Sequence, residues 1–100
     1  MPLVNKKTVI YAREQLFLRG IMSIVTKERE WADRAKRFVK AELKRAEVSY
    51  AELARRLKEH GLNETESSIT AKLNRGTFAA TFFLATMKAI GHDSVNLNEV

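Results

Sequence analysis

The residues best placed to do chemistry in this chain are cations at helical spacing and a run of short hydrogen-bonding side chains. Lys36, Lys40 and Lys44 recur at i,i+4, so one helix would carry them on one side. Six of the residues from Arg34 to Arg45 are basic and only Glu42 is acidic. Arg55, Arg56 and Lys58 follow, and Lys72 and Arg75 flank a segment containing Ser67, Ser68, Thr70 and Asn74. Cations set along a surface bind phosphate, and short polar groups between them can meet base edges. The alternative is a set of solvated helix faces with no partner. Neither catalysis nor metal binding has comparable support. His60 and His92 are the only histidines, cysteine is absent, and the four glycines are isolated, so no metal-ligand spacing or phosphate-cradling loop is present. The expectation is a binding protein rather than an enzyme, with no cofactor.

The whole composition agrees. The 100 residues carry a net charge of +6 and are 45% apolar, with five Phe and one Trp. That is enough material for one small core, and the positive balance favours a polyanion. No apolar run approaches the roughly 20 residues of a membrane helix. Lys6 and Lys7 before Val9-Ile10-Tyr11-Ala12 faintly echo a signal peptide, but Arg13 and Glu14 interrupt it. The chain is therefore expected in the cytoplasm, or with the nucleoid if it binds DNA.

The positioning elements are predicted to be four helices, an all-α fold. The first spans Lys27–Ala46, with Thr26 as N-cap and Trp31, Ala35, Phe38, Val39, Leu43 and Ala46 on one face. Trp31 is expected to anchor the core. The second runs from Tyr50 to about residue 60. Ser49 and Glu52 form a capping box, Val48 and Leu53 a hydrophobic staple, and Gly61 ends the helix in the left-handed region. The third covers 66–74 with Thr65 as N-cap, Ile69 and Leu73 as a narrow apolar seam, and Gly76 closing it. The fourth runs from about Ala79 to Ile90, with Phe78, Phe82, Phe83, Met87 and Ile90 as core. Residues 1–26 read as an N-terminal arm, in which Met22-Ser23 is a plausible alternative start. Residues 27–91 read as the working domain and 92–100 as a tail. Val95 and Leu97 could pair as a short strand with Thr8–Ala12, or the tail could simply dock.

Two short helices joined by a brief linker, the second with a polar face, suit a helix-turn-helix reader. Ser49-Tyr50-Ala51-Glu52-Leu53-Ala54, Ile69 and Leu73-Asn74-Arg75-Gly76 resemble the Cro and lambda-repressor class of helix-turn-helix domains. The stretch Trp31–Gly91 also resembles a family of short bacterial domains of uncharacterised function with an Arg-Gly-Thr-Phe step. The first resemblance implies that Leu53 and Ile69 are core and that Ala54 lets the motif helices approach. It places Ser67, Ser68, Thr70, Ala71 and Asn74 on or near a groove-facing surface. Arg55, Arg56, Lys72, Arg75 and the Lys36, Lys40, Lys44 stripe would then contact the DNA backbone. The departure lies in the turn: Leu53 and Ile69 are 16 positions apart, about five more than the motif usually has. Glu64 and Glu66 suit the dipole of the third helix but would repel phosphate.

The expected function is a sequence-reading regulator acting on double-stranded DNA, able to pair as a homodimer. The rival is a protein-interaction module, an adaptor or antitoxin-like partner, on the same fold. RNA is disfavoured because no exposed aromatics for base stacking are evident.

Overall fold

The computed structural model describes residues 6–100, with side chains from Thr26 onward. The described residues contain four α-helices and no strand: α1 Lys6–Arg45, α2 Tyr50–Glu59, α3 Glu66–Arg75 and α4 Ala80–Ala89, followed by a short 3-10 turn at Leu97–Glu99. The chain divides into two compact units, residues 1–30 and 31–100, and the second holds every residue discussed below as a site.

Three helix ends explain the sharp reversals. After α1, the Val48 amide donates to the Leu43 carbonyl at 2.9 Å and the Glu47 amide to Lys44 at 3.1 Å. The same pair of bonds recurs after α2, from Leu62 to Leu57 and Gly61 to Lys58, and after α4, from His92 to Met87 and Gly91 to Lys88. This doubly bonded ending satisfies the orphan carbonyls of the last turn and needs a left-handed residue beyond the cap. Gly61, as expected, fills that place after α2, but after α1 it falls to Glu47, at φ 57.

The core is one cluster. Phe38, Val39 and Leu43 of α1, Val48, Leu53 and Leu57 of α2, Ile69 and Leu73 of α3, and Phe82 and Met87 of α4 are all buried. Val48 and Leu53 sit in it on either side of the α2 cap, as a staple requires. Phe82 points inward and Phe83 lies half-buried beside it, stacked parallel to Phe78 at 6.3 Å. Gly76, the C-cap of α3, lies against the α1 backbone at Ala32. It adopts φ 72, and a Cβ there would lie 2.8 Å from the Ala32 carbonyl carbon, so only glycine permits the approach.

Several expectations need correction. The first helix begins at Lys6, not Lys27, so Thr26 is interior to it and not its N-cap. Thr8–Ala12 is helical, which removes it as a strand partner for the tail. The packing of Leu16–Val25 lies outside the described side chains. Trp31 is not a core anchor: it is 61% exposed, with the Arg34 guanidinium 4.3 Å above its ring. Periodicity put Trp31 on the core-facing stripe, but its neighbours leave most of it uncovered. The tail docks rather than pairs. Arg34 grips the Val100 main-chain oxygen through Nε at 3.2 Å and Nη2 at 2.9 Å.

Candidate nucleic-acid interface

The α3 helix has two sides with different chemistry. Thr65 accepts from the Ser68 amide at 3.1 Å, and Ser68 Oγ accepts from the Thr65 amide at 2.8 Å, so the two close a reciprocal cap. Ser68 Oγ also donates to Glu64 at 2.7 Å, and Glu64 pairs with Lys72 one turn further on. The Lys72 ammonium lies 5.1 Å from the Phe82 ring centroid. Burial pushes the Glu64 carboxyl up, but the bonds from Lys72 and Ser68 outweigh it and hold the group below the ordinary glutamate value. This side of α3 is tied into the fold, and Ser68 and Lys72 belong to it.

The other side is open. Glu66, Ser67, Thr70, Ala71 and Asn74 line a shallow concavity of about 490 Å³. Their spacing follows the 3.6-residue period, so one strip of helix surface presents them together. Thr70 Oγ1 donates back to the Glu66 carbonyl at 2.8 Å, which leaves the hydroxyl oxygen to accept from elsewhere. Four of the five residues expected to face a groove are thus gathered on one surface, and Ser68 stands apart from them.

The α1 cations reach this surface. Lys36 Nζ donates to the Asn74 carbonyl at 3.3 Å, and Lys40 Nζ lies 3.5 Å from Asn74 Oδ1. Residues 34 and 38 positions apart are therefore joined at the C-terminal end of α3, where an ammonium is a natural partner for an orphan carbonyl. Lys44, one further step along the stripe, and Arg75, in the last turn of α3, are both exposed.

Arg55 and Arg56 have intramolecular partners. Arg55 bonds Glu52 at 2.6 and 2.9 Å and Glu59 at 2.7 Å. Arg56 bonds Glu52 at 3.0 Å and the Ala89 carbonyl at 3.2 Å, linking α2 to the end of α4. These two guanidiniums hold the Glu52 carboxyl down at about 2. Ser49 caps α2 as expected, accepting from the Glu52 amide at 3.1 Å, but the carboxylate is turned to the arginines instead of completing the box.

Two features escaped the sequence reading. Glu66, taken as a dipole complement, lies on the open face itself. A second concavity of about 820 Å³ is lined by Arg34, Arg37, Phe38, Ala41, Arg45, Glu99 and Val100. Beside it, buried Glu42 pairs with Arg45 and with His92 Nε2 at 2.8 Å.

Residues 31–95 match the model of a domain of unknown function, DUF6471. The chain belongs to the DUF6471 family. The match covers everything from Trp31 through the end of α4 to Val95, so the open α3 face and the Lys36–Lys40 border both lie inside the DUF6471 domain. No curated protein and no solved structure matches the chain. Among the described residues no helix is long and apolar enough to cross a membrane.

Proposed function

We propose that this DUF6471 domain binds double-stranded DNA in the manner of a helix-turn-helix regulator, with α3 laid in the major groove. The observation that carries the reading is the open α3 face, where Ser67, Thr70, Ala71 and Asn74 line one concavity and Lys36 and Lys40 meet Asn74 at its border. Short polar groups and methyls suit base edges, and the lysines suit the flanking phosphates. The turn between α2 and α3 is long, but Leu53, Leu57, Ile69 and Leu73 still share one core, so the two motif helices remain packed. The likeness to repressor-type domains adds support from the sequence. A small transcriptional or accessory regulator is the role that fits, with two copies on one site as the usual means of lengthening the contact.

Fluorescence anisotropy with random duplexes over a salt series tests this. Lys36→Ala and Lys40→Ala should both weaken binding to random duplex. Each should lower the magnitude of the salt slope by about one unit. No binding below micromolar protein at low salt would overturn the proposal. The exposed Trp31 and Leu84, at 61% and 64%, favour a second reading, a protein-interaction module. Its affinity for a partner would change little with salt.

A further inference from the structure

We infer that the α3 face is polarised, and that Glu66 selects a cytosine at its N-terminal end while Asn74 presents a hydrogen-bond donor at the other. The inference rests on the DNA-binding reading and assigns that same surface its base preference. Two glutamates flank the head of α3, and their situations differ. Glu64 is held by Ser68 and Lys72 on the side tied into the fold. Glu66 is exposed, lines the open concavity, and its carboxylate has no partner among the described residues.

A free carboxylate beside DNA lowers affinity for every sequence unless a donor faces it. It can only accept, and the major groove offers two donors, adenine N6 and cytosine N4. Adenine N6 lies between two acceptors, its own N7 and thymine O4, which repel the second carboxylate oxygen. Cytosine N4 has an acceptor on one side only, the guanine O6, and therefore suits a carboxylate better. At the far end an ammonium can only donate, so Lys40 fixes the Asn74 amide oxygen toward itself. The amide NH2 remains for the groove, where guanine O6 and N7 accept. The eight residue-to-residue steps from Glu66 to Asn74 rise about 12 Å, or about three to four base-pair steps.

Selection from a random duplex pool, followed by anisotropy at fixed salt, tests the assignment with three proteins: the wild type, Glu66→Gln and Glu66→Ala. Circular dichroism checks that each is folded. The wild type should prefer a C·G pair at one position by about tenfold or more, within the range of a good base contact. Glu66→Gln has both a donor and an acceptor, so the preference at that position should move to A·T. Glu66→Ala should lose the preference and bind random duplex more tightly, a change that a purely helix-stabilising Glu66 would not produce. Wild-type binding with the same base preference in all three proteins would overturn the inference while leaving DNA binding intact. Failure of the wild type to bind any duplex would overturn both.

Discussion

Replacing Gly76 with alanine tests the contact that sets α3 against α1. Two costs add at this position. The residue adopts φ 72, a left-handed conformation that costs an L-residue about 1–2 kcal/mol. The new Cβ would also sit 2.8 Å from the Ala32 carbonyl carbon and 3.2 Å from its Cα. These are backbone atoms of a helix and cannot rotate aside, so relief requires α1 and α3 to separate. Overpacking of that kind costs about 1–3 kcal/mol. The sum is about 2–5 kcal/mol, a large part of what a unit of this size can have. Gly61 supplies the control. Its φ is 86, but a Cβ there meets nothing within 4 Å, so Gly61→Ala isolates the conformational cost.

Urea and thermal denaturation followed by circular dichroism would measure both variants. Gly76→Ala should lower the melting temperature by about 10–30 °C, and Gly61→Ala by a few degrees to about 15 °C. Equal losses in the two variants, with unchanged m-values, would refute the argument. They would mean that α1 and α3 do not approach through Gly76, and the Lys36 and Lys40 contacts to Asn74 would then lack their structural basis.

Other predictions concern single groups. Glu47→Gly should stabilise the protein by about 0.5–1 kcal/mol in urea melts, because glycine takes the φ of 57 that ends α1 without strain. Thr86 is fully buried and its hydroxyl has no hydrogen-bond partner among the described residues, so Thr86→Val should raise stability by about 1 kcal/mol in the same assay. Acid should also destabilise the fold. Glu52 is held at about 2, below the ordinary glutamate value of about 4.3, so its contribution is present above about pH 4.3. It is lost as pH falls toward about 2, and Glu52→Gln should flatten the stability profile in that window.

Signals confined to a few residues were legible in the sequence. Ser49, Thr65 and Gly61 lie where their cap chemistry put them, because each acts on amides or carbonyls within one turn. The four-residue periods of Leu53–Leu57 and Ile69–Leu73 likewise identified the core faces. Trp31 went astray for a definite reason: periodicity says which face a residue shares but not whether anything covers it. Ser68 was ambiguous by chemistry, since a short polar residue three places after a cap can close a box or face solvent. Glu47 gave no warning of a left-handed cap, which glycine usually marks. The border between α1 and α3 depended on pairs more than 30 residues apart, Lys36 and Lys40 with Asn74, and nothing local encodes such a meeting.

The ion pairs decide which cations a polyanion could recruit at least cost. Lys72 could turn to a phosphate only by abandoning Glu64, whose side chain is 9% exposed and would be left charged and poorly solvated. Arg56 would give up the Ala89 carbonyl and loosen α2 from α4. Arg55 is exposed, and its pairs with Glu52 and Glu59 are screened by solvent, so it exchanges partners more easily. Even then those two carboxylates would remain beside the phosphate. Lys36 and Lys40 differ in kind. Their contacts at Asn74 are to a neutral carbonyl and an amide oxygen, and an ammonium has three donors, so each can reach a phosphate without stranding a charge or leaving Asn74. Lys36 also lies 3.8 Å from Asp33, a partly exposed carboxylate that water can solvate. Net charge alone would count all of these cations equally. The partners each would leave behind rank the α1 lysines ahead of Lys72 and Arg56, and the salt slopes of single alanine variants should fall in that order.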